Sequence, residues 1–341
     1  MLNTITRRLS QANNAWKRKR EAVQNLIVCL SPYKPISVEA FESACEIASS
    51  HSEAHVSALH VPDSSSCSTA IYSELIDQVG NDNKATLDVV PSSSVKMTIV
   101  DQLEKKHPDL CVIGAYGSHF CRDLFSTVHF VTKNAPCDVL VVRQDGLWQN
   151  GPMKAVVCFG INDWEGSIDA FKAAVRIARP GDEIEAVHVV HSYNSVDAVF
   201  GPPMMPPKGN GTIEEKIAKS LEAVMLQTLN DKASCLRPDQ VTLKSVILFA
   251  GVENPTKVIA DYAANHRINL VSVGVGSIAR IFCSANFSYY LTHNSPCSVL
   301  VARGTLQSEP PPITVMKDKV QESADFYVDD PQEWFLRKSS I

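Results

Sequence analysis

NAPCDVLVVR, from Asn134 to Arg143, returns as NSPCSVLVAR, from Asn294 to Arg303, after an interval of 160 residues. The segment just before it does the same at the same interval: DLCVIG (Asp109 to Gly114) returns as NLVSVG (Asn269 to Gly274). Nearer the front, NLIVCL beginning at Asn25 matches KAVVCF beginning at Lys154, and LHVP around His60 matches VHVV around His188, at intervals of 129 and 128. Self-similarity of this kind means one structural unit used twice. The change of interval assigns about thirty extra residues to the second copy. The Pro-, Met- and Gly-rich stretch from Ser192 to Gly211 has the composition of a loop that would hold many of them.

Within each copy, short apolar runs alternate with helical stretches. In the second copy the runs are AVVCF, EAVHVV, KSVILF, LVSVG and VLVA, and the intervening helices include IDAFKAAVRIA, EEKIAKSLEAVMLQTL, PTKVIADYAANH and NFSYYLTH. Valine-rich runs of four to six residues suit strands covered on both faces, and their alternation with helices makes the sheet parallel and doubly wound. The expectation is an α/β chain of two five-stranded parallel-sheet domains in tandem, over residues 25–148 and 149–305. A basic arm (1–24) precedes them and a C-terminal tail (306–341) follows. In such sheets a ligand sits beyond the carboxyl ends of the strands where strand order reverses, so the loops after the first and fourth runs are the candidate site.

Composition agrees. A chain of 341 residues is too long for one ordinary core. Its 45% hydrophobic and 20% charged residues are those of a globular protein, and no apolar run is long enough to span a membrane. Ten cysteines lie scattered through apolar runs with no CxxC pair, which predicts reduced, buried thiols in an intracellular compartment and no zinc site. The sequons at Asn210 and Asn286 are read as chance. The net charge of −5 hides an acid-free N-terminal arm carrying Arg7, Arg8, Lys17, Arg18, Lys19 and Arg20. That arm reads as a solvated basic segment, with a mitochondrial presequence or an anionic-surface contact as the alternatives.

After its fourth run the first copy reads GAYGSHFCRDLFSTVHFV. Gly114 and Gly117 allow a tight turn that presents backbone N–H groups to an anion, and Ser126, Thr127 and the start of the next helix would complete a phosphate cradle. The purely structural alternative is a strand-to-helix turn with an N-cap at Ser126 or Thr127.

The order strand, GxxG, a small hydroxyl pair, a helix ending in APC and a valine-rich strand resembles the universal stress protein family, over residues 25–145 and 153–304. The resemblance implies an adenine nucleotide α-hydrolase-like fold, in which domains pair through their last strands. Val139–Val142 and Val299–Ala302 would then join within one chain as an intramolecular pseudo-dimer, with further homo-oligomers open. It also implies that Gly114, Gly117, Ser126 and Thr127 hold the phosphates of ATP or a related adenine nucleotide, with Mg²⁺ accompanying it. Ser31 stands where ATP-binding members carry the aspartate that contacts the nucleoside. The spacing after Gly117 is eight residues rather than nine, and Ser126 replaces a glycine. The second copy departs further: Gly160 holds the aspartate position, with Asn162 and Asp163 nearby, and Ser277 replaces the second glycine. Gly274-Val-Gly276-Ser-Ile-Ala279 imitates a dinucleotide fingerprint, but no acid follows at the required distance.

His51, His55 and His60 cluster in HSEAHVSALH and are read as partly exposed, ordinary histidines rather than metal ligands. Cys137 and Cys297 are read as packing residues. With no Walker loop, nucleophile elbow or HExxH motif, the chain is expected to bind rather than catalyse. Slow ATP hydrolysis would have only His119, Asp123 and Asp163 to draw on. The tail mixes acids with Trp334, Phe335 and Leu336 and is read as disordered until it docks on a protein partner or folds back as a strand. Serines beside basic pairs, in RRLS (7–10) and RKSS (337–340), are candidate phosphorylation sites. The expected character is a cytoplasmic, nucleotide-linked stress or signalling regulator with protein partners at its termini and no nucleic acid. The alternative is a nucleotide-free interaction scaffold.

Overall fold

In a computed structural model, the described residues are 23–31, 34–62, 85–115, 122–143, 146–148, 151–160, 164–191, 219, 222–223, 225–226, 240–250, 254–275 and 284–303. The arm, the Pro/Met-rich insertion, the tail, Gly117 and Ser277 lie outside them.

The first copy contributes β1 (Asn25–Leu30), α1 (Lys34–Ser49), β2 (His55–His60), β3 (Ala85–Val89), α2 (Val95–Lys106), β4 (Leu110–Gly114), α3 (Arg122–Asn134) and β5 (Asp138–Val142). The second contributes β6 (Lys154–Phe159), α4 (Trp164–Ile177), β7 (Glu183–His191), β8 (Thr242–Ala250), α5 (Pro255–His266), β9 (Leu270–Val275), α6 (Ser284–Asn294) and β10 (Ser298–Arg303). Their ends follow local chemistry. Asn254 accepts the Thr256 N–H at 3.1 Å with Pro255 in the first turn of α5, the arrangement that starts a helix most readily. Both α2 and α5 end on a left-handed residue, His107 and Arg267, whose N–H closes back on Leu103 and Ala263.

The ten strands form one sheet in the order β3-β2-β1-β4-β5-β10-β9-β6-β7-β8. Within each copy all pairings are parallel, and the copies join by one antiparallel pairing, β5 with β10. Leu140 faces Leu300, with Val139 opposite Val301 and Val141 opposite Val299. Repeat-equivalent residues therefore meet at the centre, which is a pseudo-two-fold axis inside one chain.

One face carries a core common to both copies, including Phe41, Ile47, Leu140, Phe171, Ile177 and Leu300. The other face carries two separate cores. Ile27, Leu103, Val131 and Val141 belong to that of the first copy, and Val156, Ile259, Leu291 and Val301 to that of the second. Two-sided burial is why the strands read as continuous apolar runs. At the N-terminal edge, Asp109 accepts the N–H groups of Gln24 and Asn25, each at 2.9 Å. Asn269 accepts that of Lys154 at 2.8 Å. The residue that opens each repeat of the DLCVIG motif is thus a clasp on the start of the neighbouring strand.

The connection between copies is pinned as well. Leu147 and Met153 are fully buried. Asp182 accepts from the Met153 and Arg179 backbones, each at 2.7 Å, and from the Trp148 indole at 3.1 Å. The Arg179 guanidinium lies 3.8 Å above the Trp148 ring.

Candidate functional site

In the first copy, strand order reverses between β1 and β4. Their carboxyl ends, Ser31 and Gly114, lie at the same edge, because Cys29 pairs with Ile113. The equivalent mouth of the second copy lies between β6 and β9, at Gly160 and Gly274.

In each copy a serine of the following helix binds the backbone at the end of the first strand. Ser37 Oγ accepts the Ser31 N–H at 3.0 Å and donates to the Ser31 carbonyl at 3.1 Å. Ser167 Oγ accepts the Gly160 N–H at 3.0 Å. Both serines are buried, four residues before the buried phenylalanines Phe41 and Phe171. Sequence reasoning passed over them. The signal was available: SVEAF beginning at Ser37 and SIDAF beginning at Ser167 form one more repeat.

The glycines at the strand ends also have packing partners. A methyl group added at Gly114 would meet Ile36, at 2.8 Å from Cγ1 and 2.9 Å from the carbonyl oxygen. At Gly274 it would lie 1.9 Å from the carbonyl oxygen of Gly166. The first turn of α4 therefore presses its backbone on β9, whereas α1 meets β4 partly through a side chain. Gly114 and Gly274 are required by these close approaches whatever else they do.

Two expectations need correction. Ser126 and Thr127 do not cap a helix, because α3 already begins at Arg122. The helical spacing of Leu124, Val128 and Val131 carries the helix past the point where two hydroxyl residues suggested a start. Thr127 is half-buried, and nothing is described of the Ser126 side chain. His60 is not partly exposed but 1% exposed, with Nδ1 at 3.3 Å from the Leu30 carbonyl. His188 repeats this at 2.8 Å from the Phe159 carbonyl. These imidazoles tie β2 to β1 and β7 to β6, and a carbonyl partner requires Nδ1 to carry the proton. His51 and His55 are half-buried, and His51 Nε2 is 2.9 Å from the Arg176 carbonyl.

Burial raises the Cys137 thiol far above its ordinary range and Cys297 to about 11. Cys29 and Cys111 lie with their sulfurs 3.8 Å apart in the first copy's separate core. Such thiols are packing groups, not nucleophiles. Among the described residues, no three His, Cys, Asp or Glu side chains gather as a cation site. No described helix is long and apolar enough to cross a membrane.

No protein-family model matches the sequence, and no curated protein matches it. Solved structures do. The chain is similar to a putative universal stress protein from Pseudomonas aeruginosa UCBPP-PA14, at 15% identity and a TM-score of 0.53, over 84% of this chain and 95% of that one. A functionally unknown protein from Pseudomonas aeruginosa PAO1 gives the same values. A universal stress protein from Archaeoglobus fulgidus is similar at 11% identity and a TM-score of 0.51, over 82% of this chain and 98% of that one. With five parallel strands in the order 3-2-1-4-5, repeated and joined through the last strand of each copy, this chain has the fold of the universal stress proteins twice over.

Proposed function

We propose that the protein is a non-catalytic, nucleotide-linked regulator of the stress-response or signalling kind, whose first copy takes ATP or another adenine nucleotide and whose second copy is architectural. The observation that carries the reading is the reversal of strand order between β1 and β4, which brings Ser31 and Gly114 to one edge with α3 following. Ser31 and Thr127 would offer hydroxyls there, and the turn around Gly114 backbone N–H groups to the phosphates. No described carboxylate cluster would hold a cation, so Mg²⁺ would arrive on the phosphates themselves. In the second copy, the backbone of Gly166 is pressed onto Gly274, which favours packing over a ligand.

The second reading is a nucleotide-free scaffold with protein partners at its termini. It draws on the fact that the Ser31 N–H and the space beside Gly114 are already used by Ser37 and Ile36.

Calorimetric titration of the full chain with ATP and magnesium separates the two. The nucleotide reading expects one site per chain, lost when Ser31→Trp fills the mouth. Gly114→Val would be a poor control, because its side chain would collide with Ile36 and disturb the fold. Absence of heat with nucleotide-stripped wild type would favour the scaffold.

A further inference from the structure

We propose that the junction between the copies is keyed by charge: the first copy presents acids and the second arginines, so that unlike copies pair and like copies repel. A pseudo-two-fold axis through Leu140 and Leu300 relates the two copies, with or without a ligand.

Most of the junction obeys that axis. The Arg143 N–H donates to Ser298 Oγ at 3.1 Å and the Arg303 N–H to Asp138 Oδ1 at 2.7 Å. The Arg143 guanidinium donates to the Thr292 carbonyl at 2.5 Å, and that of Arg303 to the Thr132 carbonyl. Residues 143 and 303, 138 and 298, and 132 and 292 are repeat equivalents. These contacts would form equally well between two first copies or two second copies, so they cannot discriminate.

The charged contacts break the symmetry. Asp138, 5% exposed, is ion-paired with Arg176 of α4. The equivalents of this pair are Ser298 and Glu46. Arg179 reaches back to α1, with Nη2 at 3.9 Å from the Glu46 carboxylate and Nε at 3.2 Å from Ser50 Oγ. Its own equivalent is Ser49. Thus α1 carries Glu42 and Glu46 where α4 carries Lys172 and Arg176.

Rotating one copy onto the other shows the consequence. Two first copies would set the buried Asp138 against Glu46 and take away its arginine. Two second copies would set Arg179 against Arg176 and offer Ser298 in place of the carboxylate. A buried charge that loses its partner costs far more than the pair itself contributes, and like-charge juxtaposition is an effective way to reject a wrong partner. The key therefore discriminates mainly by penalising the like pair.

The test is made on the full chain. Arg176→Glu with Ser298→Asp gives both copies the acidic set. Adding Glu46→Arg, Asp138→Ser, Ser49→Arg and Arg179→Ser exchanges the sets, so that the carboxylate introduced on β10 would again face an arginine and no arginine is left opposite the one introduced at position 46. Thermal unfolding and light scattering are read for wild type and both variants. The acidic variant should melt about 5–10 °C below wild type and gain mass as the freed β5 and β10 edges associate between molecules. The exchanged variant should recover at least half of the loss and return to the wild-type mass. If the acidic variant melts within about 5 °C of wild type, or if the exchanged variant recovers less than half of the loss, charge does not key the junction.

Discussion

The two copies share their strand order, their clasps and their buried histidines, yet their mouths differ. In the first copy, α1 approaches β4 through Ile36, partly by a side chain that can move; in the second, the backbone of Gly166 lies against Gly274. The first contact is shared between the Ile36 side chain and its carbonyl, at 2.8 and 2.9 Å from an added methyl, whereas the second is backbone alone and far closer, at 1.9 Å. Duplication thus left the same helix-on-strand contact with two different rigidities.

The largest expected effect tests that difference in rigidity. Gly274→Ala should destabilise the protein by about 3 kcal/mol or more, because the new methyl meets backbone, whereas Gly114→Ala should cost about 1–2 kcal/mol as Ile36 shifts. Chemical denaturation of the two variants checks this. Equal losses would mean that the two mouths are equally rigid.

A smaller effect concerns the α3–α6 contact across the junction. His129 meets Tyr289 edge-on, with ring centroids 4.5 Å apart, and Tyr289 lies 4.2 Å from His293. Burial, with Lys133 and His293 nearby, lowers the His129 pKa to about 4. A histidine whose folded pKa is depressed stays neutral while the unfolded chain takes up a proton, so stability is lost as pH falls from about 6.5 towards 4. Between pH 7 and 5 this group should cost the fold about 1–2 kcal/mol. His129→Gln should flatten that part of the pH profile, measured by denaturant unfolding at each pH; a profile parallel to wild type would rule the group out.

Much of this was legible in the repeats. The second copy's apolar runs each fall within a strand, PTKVIADYAANH coincides with α5, and the valine-rich ends do pair. Parallel sheets announce themselves because two-sided burial writes continuous apolar strings. The same burial explains the error at His60: alternation predicts an exposed face only where a sheet has one. Ser126 and Thr127 misled because a hydroxyl pair looks like a cap, while the helix's apolar spacing begins earlier. Ser37 and Ser167 are hard to single out because a serine inside an apolar stretch gives no sign that a backbone N–H six or seven residues earlier needs it. The charge asymmetry at Glu46 and Arg176 acquires meaning only once the axis shows which residues face each other.

The most direct test of the asymmetry between the mouths is to give each the aspartate that ATP-binding universal stress proteins carry at the end of the first strand. Ser31→Asp and Gly160→Asp would each be titrated with ATP and magnesium on the full chain. If the first copy takes the nucleotide as proposed, Ser31→Asp should tighten binding about tenfold, on the order of one charge-assisted hydrogen bond, while Gly160→Asp should leave one site of unchanged affinity. A second site created by Gly160→Asp, or no response to Ser31→Asp, would contradict it.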